Sequence, residues 1–298
     1  MRNSKLISIF AAATAGHTCR DITDDMKIKV VKVGGNVVED DRMLGIFATD
    51  FARMEGARIL VHGGGVMASS LQKRLGMEPV MVGGRRVTDA QTLEIVTMVY
   101  AGWCNKHIVA TLQKNGCNAV GLCGADGSAI KASRRPPATT TDSETGEVHE
   151  TDYGYVGDIA ADGVNTRFLE SLLEQGITPV LCAITHDGAG NLLNTNADTI
   201  ASSVAEALSS NGHGHEVELT YCFEKQGVLY DKDDPDSMIP EITPGIYASL
   251  KSEGRVADGM IPKLDNAFKA IGNGVSRVVI KHACNLGNAT GTAIIGHR

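Results

Sequence analysis

Aromatic side chains are scarce in this 298-residue chain: one Trp, six Tyr and six Phe make up 4% of it. A surface that stacks successive bases needs more of them, so the composition gives no support to single-stranded nucleic-acid binding. Positive charge is also in short supply, with 28 Lys and Arg against 35 Asp and Glu and a formal net charge of −7. A chain of that sign is no general polyanion binder, although a local basic pocket stays open. No apolar run has the length of a membrane span. The seven Cys are odd in number, include no Cys-x-x-Cys and fall partly inside apolar runs. That usage fits free thiols in a reducing cytosol, predicts a cytoplasmic protein and argues against zinc; no metal ligands are assigned from the sequence. Neither a Walker pattern nor a Gly-x-Gly-x-x-Gly fingerprint occurs, which disfavours a Rossmann dinucleotide site.

Glycine, in contrast, is plentiful at 34 residues, while 43% hydrophobic and 21% charged residues are ordinary for a globular chain. The periodicities alternate between short β-branched apolar runs and amphipathic stretches. Strands are expected at 28–33, 58–62, 118–121, 129–132, 178–183, 217–223, 277–281 and 292–295. Helices are expected at 40–55, 66–75, 89–114, 165–175, 198–209, 243–252 and 262–271. Gly83-Gly84 inside 79–88 reads as a hairpin, and the polar 134–154 as an exposed loop or hairpin insert. This alternation predicts an α/β fold, an open αβα sandwich with a mainly parallel central sheet covered on both faces. Ligands in such sheets sit beyond the carboxyl ends of the strands. Residues 1–25 stand apart. Arg2 and Lys5 precede an apolar stretch over 6–13, which loosely resembles a signal peptide. An upstream start or a short docking helix accounts for it better, because Met26-Lys27-Ile28 itself opens the first strand. The extension is expected to be non-essential.

Five short motifs fall in the loops that matter. Lys32-Val33-Gly34-Gly35 follows the first strand, and glycines there let backbone N–H groups come close to phosphate oxygens. A tight turn with a solvated Lys is the plainer reading. His62-Gly63-Gly64-Gly65 precedes a helix N-terminus, a natural carboxylate or oxyanion site; His62 on its own reads as a packed, hydrogen-bonded histidine. Gly83-Gly84-Arg85-Arg86-Val87-Thr88 sets two guanidiniums on a hairpin, and an Arg fork suits a carboxylate. Strand alternation would send one of them to the site and the other to solvent. Asn194-Thr195-Asn196-Ala197-Asp198 opens a helix with more Asx residues than capping needs. Metal binding is the rival use for Asp198. Asp258-Gly259-Met260-Ile261-Pro262-Lys263 enters a helix with a cation in its first turn, against the dipole, which points to an anionic partner.

In this order, and over roughly residues 27–295, the five motifs together resemble the N-acetylglutamate kinases of the amino-acid kinase family. The resemblance implies two catalytic lysines at Lys32 and Lys263, with Asp198 orienting them. It implies acylglutamate-binding glycines at Gly64 and Gly65, a carboxylate-binding Arg86 and a substrate-binding Asn194. ATP and its phosphates fall to Gly34, Gly35, Gly227 and Leu229, with Gly35 against the transferred phosphoryl group. It further implies ATP with Mg²⁺, an N-acylglutamate substrate, no nucleic-acid or membrane partner, and a homodimer or higher homo-oligomer. One kinase domain would span 26–298, with an acylglutamate lobe over about 26–210 and an ATP lobe over about 211–298. The implied reaction phosphorylates the side-chain carboxylate of N-acetyl-L-glutamate, a step of arginine biosynthesis. Two departures bear on the substrate. The nucleotide-side segment reads Tyr221-Cys222-Phe223-Glu224-Lys225-Gln226-Gly227-Val228-Leu229, longer than in many members and similar to a Bacteroidetes-type variant, and Gly83 stands where Asn is common. Some members of that group work on N-succinyl intermediates, so N-succinyl-L-glutamate is the alternative substrate. Glutamate 5-kinase and carbamate kinase fit the third and fourth motifs less well. A non-catalytic amino-acid sensor on the same fold is the alternative of a different class.

Overall fold

The structure is a computed structural model that describes residues 26–141, 148–210, 215–231, 233–255 and 260–296. The 1–25 extension and the Asp258-Gly259 start of the fifth motif lie outside the described residues. An eight-stranded sheet forms the centre: β1 Lys27–Val33, β2 Ala57–His62, β3 Ala119–Leu122, β4 Thr178–Cys182, β5 Glu216–Phe223, β6 Glu241–Ile242, β7 Arg277–His282 and β8 Thr292–Ile294. Their spatial order is β6-β8-β7-β5-β1-β2-β4-β3. All neighbours run parallel except β7 and β8, which are antiparallel. The sequence expectation of a mainly parallel sheet therefore holds. β1 lies in the middle, so Ile28, Val30, Val31 and Val33 are wholly buried, as expected of a parallel strand covered on both faces. Lys32 breaks that apolar run and is the residue to explain.

The helices cover the two faces. They are α1 Gly35–Glu39, α2 Asp41–Arg53, α3 Gly65–Arg74, α4 Ala90–Thr97, α5 Asn105–Lys114, α6 Thr166–Glu174, α7 Ala197–Ser210, α8 Pro244–Ser252 and α9 Ile261–Gly272. Local chemistry fixes their starts. The Asp40 carboxylate accepts from the Arg42 and Met43 amides at 2.9 Å, and α2 then lays Leu44, Phe47, Ala48 and Phe51 into the core. Such a cap is worth about 1 kcal/mol. Asn196 does the same for α7, accepting from the amides of Asp198 at 2.8 Å and Thr199 at 3.2 Å. α7 is rich in small residues and buried on more than one side, with Ile200, Ala201, Val204, Ala205 and Leu208 at 0% exposure. Small side chains let it lie close across β1, β2 and β5, and this brings its first turn under Lys32.

Three sequence readings need correction. The expected strand over 129–132 is no strand. Its alternation is real, but the Ile130, Lys131 and Ala132 amides donate to three separate places, Gly124, Gly163 and His186. The expected helix 89–114 is helical throughout, yet its middle, Met98–Cys104, winds as a wider π-type turn. There Tyr100 and Cys104 pack on Gly64, where an added Cβ would sit 2.8 Å from the ring and 3.0 Å from the sulfur. A small hairpin, Ile184–His186 paired with Leu192–Asn194, was not anticipated, and it carries Asn194 to the sheet's edge. The Gly83-Gly84 hairpin is present, Met81–Val82 against Arg85–Arg86. Its two glycines have φ of 55° and 73°, the left-handed pair that a two-residue hairpin turn requires.

Candidate active site

Lys32 points to the same face as Tyr221, its neighbour in register on β5, and toward α7. Asp198, in the first turn of α7, meets it there: Lys32 Nζ lies 2.8 Å from Oδ1. Lys263 is the third residue of α9, which packs along α7. Its Nζ donates to Oδ2 of the same carboxylate at 2.7 Å. One carboxylate thus holds two ammoniums, one on each oxygen. Burial opposes ionisation of Asp198, but the charges of Lys32 and Lys263 outweigh it and hold the carboxyl down to about 2. Two cations and one anion leave a formal charge of +1 in a largely dry setting. Side-chain exposure of 13% and 22% keeps both ammoniums accessible from outside.

Two glycine loops frame this cluster. The Gly34 amide donates to Cys222 O at 2.9 Å, locking the first loop to the end of β5. A Cβ on Gly35 would lie 3.7 Å from the Gly65 nitrogen and 3.9 Å from the Gly64 nitrogen. The first and second loops therefore lie side by side, with room for about one methyl group between them. α3 begins at that point, so its positive dipole end adds to the field.

Next to the glycines is a cavity of about 190 Å³. Gly64, Gly65, Arg85, Arg86, Asn194 and Val156 line it, together with Met81, Ala183 and Ala197. Arg86 is 7% exposed. Its guanidinium donates to Gln72 Oε1, to Gly65 O at 2.8 Å and to Ser69 Oγ at 2.7 Å. All three acceptors are neutral, so its charge has no carboxylate in direct contact among the described residues. A buried cation without a counter-ion is an anion site waiting for its ligand. Asn194 donates from Nδ2 to Thr88 Oγ1 at 3.0 Å, which turns its Oδ1 away from that contact. Gln72 and Ser69, a turn apart on α3, are the residues sequence reasoning missed. Their i, i+3 spacing on the inner face of a helix after the glycines was the available signal.

His62 is outside this chemistry. It is wholly buried on β2, and the Asn105 Nδ2 group serves both His62 Nε2 at 3.0 Å and Val180 O at 2.9 Å. Nε2 is therefore the acceptor, and Nδ1–H donates to Gly63 O at 2.7 Å. Burial pushes its pKa from 6.5 down to about 4. A group depressed on folding contributes stability that is complete above its unfolded pKa and lost as pH falls through the folded one. Urea unfolding between pH 6.5 and pH 4 should show a loss of order 3 kcal/mol from this residue, and His62→Gln should flatten the profile across that window. An equally steep profile in the variant would contradict this origin.

Segment 224–229 lies at the end of β5, beside the first glycine loop. Asn36 Nδ2 donates to Glu224 Oε1 across that junction. Gly227 lies under Thr292, whose Oγ1 would be 2.5 Å from an added Cβ, and Leu229 pairs with Met238. Among the described residues no three His, Cys, Asp or Glu side chains converge as a metal site, and no helix is long and apolar enough to cross a membrane. Asp198 has a lysine beside each of its oxygens.

An αβα sandwich in which Lys32 of a central strand and Lys263 of α9 meet on Asp198 between two glycine loops, beside the Arg86 cavity, defines an anion-handling enzyme of the α/β class. The chain belongs to the amino acid kinase family, whose pattern it matches over residues 27–282. It is similar to the acetylglutamate kinase of Phocaeicola vulgatus, 49% identical over 268 residues that span 90% of this chain and 98% of that one. The acetylglutamate kinase of Cytophaga hutchinsonii is 50% identical over 260 residues, 87% of this chain and 93% of the relative. Among solved structures, smu.665 from Streptococcus mutans matches with a TM-score of 0.68 and 26% identity, covering 90% of this chain and 98% of that one.

Proposed function

We propose that the chain transfers the γ-phosphoryl group of ATP to the side-chain carboxylate of N-acetyl-L-glutamate, giving N-acetyl-L-glutamyl 5-phosphate and ADP in arginine biosynthesis. The observation that carries this reading is the Lys32–Asp198–Lys263 cluster lying between two glycine loops and beside the Arg86 cavity. The carboxylate acceptor is already ionised near neutral pH, so the attack needs no general base. That agrees with the buried, doubly engaged state of His62. Lys32 and Lys263 would meet the charge that spreads over the phosphoryl oxygens during transfer, and the amides of Gly34, Gly35 and Gly65 would add neutral donors. The nucleotide would be bound as its Mg²⁺ complex, in which the ion would offset part of the phosphate charge. Arg86 would take the α-carboxylate, Asn194 Oδ1 the amide N–H, and Val156, Ala183 and Met81 the acyl methyl group. Segment 224–229, with Gly227 and Leu229, would bound the nucleotide. The reading includes association with a second copy, for which Met98 and Trp103, 59% and 62% exposed, offer apolar surface.

A coupled assay for ADP release with N-acetylglutamate tests the reaction, and absence of turnover with any acylglutamate would leave the non-catalytic sensor. Arg86→Ala should raise KM for the acylglutamate by about 10²-fold with far less change in KM for ATP. A parallel rise in both would remove Arg86 from the substrate site.

A second substrate, N-succinyl-L-glutamate, is favoured by one observation. Arg85 lines the same cavity as Arg86. Its pKa is lowered by burial and by the neighbouring Arg135 charge, with a smaller opposing influence from Asp158, and among the described residues the carboxylate of Asp158 pairs with Arg135 rather than with Arg85. A second carboxylate on the acyl group would answer that cation. The test is kcat/KM with both acylglutamates. Preference for succinyl that disappears in Arg85→Ala supports this reading, and a clear preference of the unaltered enzyme for N-acetylglutamate rules it out.

A further inference from the structure

A third buried lysine lies outside the reaction centre. Lys281 is 7% exposed on β7 and neighbours Cys222 of β5 in register, on the sheet face away from Lys32. Burial lowers its pKa, with smaller influences from Cys222, Arg277 and Asp50. Among the described residues no carboxylate pairs with its amine. Nζ donates instead to the Asn288 carbonyl at 2.5 Å. An ammonium is costly to bury against a single neutral acceptor, and a strand position in the middle of a sheet is ordinarily filled by Val or Ile. Something other than packing accounts for it.

Asn288 belongs to the loop between β7 and β8, and this loop grips the nucleotide-side segment at two points. Asn285 Nδ2 donates to Gln226 Oε1 at 2.6 Å. At the far end Thr292 Oγ1 accepts from the Val228 amide at 2.8 Å and donates to Ile239 O at 2.6 Å. Within the loop, the Asn288 amide donates to Asn285 O at 3.1 Å, so fixing one fixes the other. Gly291, at φ 148°, lets the returning chain pass over Lys281, where an added Cβ would be 2.8 Å from the lysine Cβ. On the outer side the Gly287 amide donates to Asp50 Oδ2 at 3.3 Å, which ties the loop to α2. Among the described residues, Lys281 is the charged side chain that anchors this loop from the sheet side.

We propose that Lys281 is a positioning residue for the nucleotide: by clamping Asn288 it sets the loop that, through Asn285, holds Gln226 and the 224–228 segment against the phosphate-side glycine loop. The proposal rests on the assignment of that segment to ATP. It separates the two substrates, because nothing in the relay reaches the Arg86 cavity.

The test uses the full chain in the ADP-release assay and, independently of turnover, ADP binding by titration calorimetry. Lys281→Met keeps the stem's volume and removes the charge. It should raise KM for ATP and the ADP dissociation constant about tenfold, leave KM for the acylglutamate unchanged and keep kcat within about twofold. Asn285→Ala, a partly exposed site at the other end of the relay, should reproduce the same split, and the double variant should be no worse than either alone. If Lys281→Met does not fold, Asn285→Ala decides. Unchanged nucleotide affinity in Asn285→Ala, or equal rises in both KM values, overturns the proposal. An unaltered chain that binds ADP normally but turns over no acylglutamate would count against the proposed reaction and leave this inference standing.

Discussion

Replacing Lys32 or Lys263 by alanine is expected to lower kcat by about 10²–10³ while the protein stays folded. In the proposed reaction each ammonium would stabilise part of the charge on the transferring phosphoryl group, and loss of one charged or hydrogen-bonding contact of this kind typically costs about 3–4 kcal/mol in the transition state. The fold should survive because Asp198 keeps the other lysine, at 2.8 or 2.7 Å, as its counter-ion. The formal charge of the cluster drops from +1 to zero, and no buried charge is left alone. KM values should move much less than kcat, since phosphoryl oxygens gain charge on the way to the transition state rather than on binding. Steady-state kinetics and thermal unfolding of the same samples make the comparison. A variant with near-normal turnover takes that lysine out of the mechanism, and one that melts early with kcat intact makes it a structural ion.

Much of this site could be read from the chain before any coordinates, because its residues sit in short motifs with local causes. Glycines at 34–35 and 63–65 announce backbone approach, Gly83-Gly84 announces a two-residue turn, and the Asx run at 194–198 announces a helix start with an Asn as its cap. The parallel sheet was equally legible, since strands buried on both faces read as unbroken apolar runs. That one carboxylate holds both Lys32 and Lys263 is expected from the Asx-rich helix start and from the family resemblance, and the structure places Asp198 between them. What could not be read is other pairing between distant segments: the partners of Arg86 on α3 had no such signal. Alternation on the hairpin argued that one of Arg85 and Arg86 faces away, yet both line the cavity, because two residues after a tight turn are too few to set a sheet face. The strand expected over 129–132 failed for a related reason. Period-two patterning fixes which side chains are inward, and it leaves open whether the backbone finds one continuous partner or three. The buried Lys281 was hidden inside an expected strand, where a lysine reads as an edge or a solvated face.

Asp198→Asn should damage stability as well as rate. The substitution keeps size and shape and removes the one negative charge, so two ammoniums that shared a carboxylate are left facing each other in a site where Asp198 is 9% exposed. Breaking a buried ion pair by removing one partner costs about 3–5 kcal/mol, and here two cations are orphaned at once. The folded carboxyl titrates near 2, below its ordinary 3.8, because the two lysine charges outweigh burial. Its contribution is therefore complete above pH 3.8 and lost as pH falls toward 2. Urea unfolding at pH 7 should show the loss in Asp198→Asn, and the gap between variant and unaltered protein should narrow as both are taken to acid. The diagnostic comparison is the double variant Asp198→Asn with Lys32→Met. Removing one of the repelling cations should return part of the lost stability, while kcat falls further still, since rate needs both lysines and stability needs only a balanced count of charges. Stability that recovers in the double variant while kcat falls further is the signature of a shared counter-ion. Stability losses that simply add would mean that Asp198 acts on each lysine separately, and the picture of one carboxylate poising two catalytic cations would have to be given up.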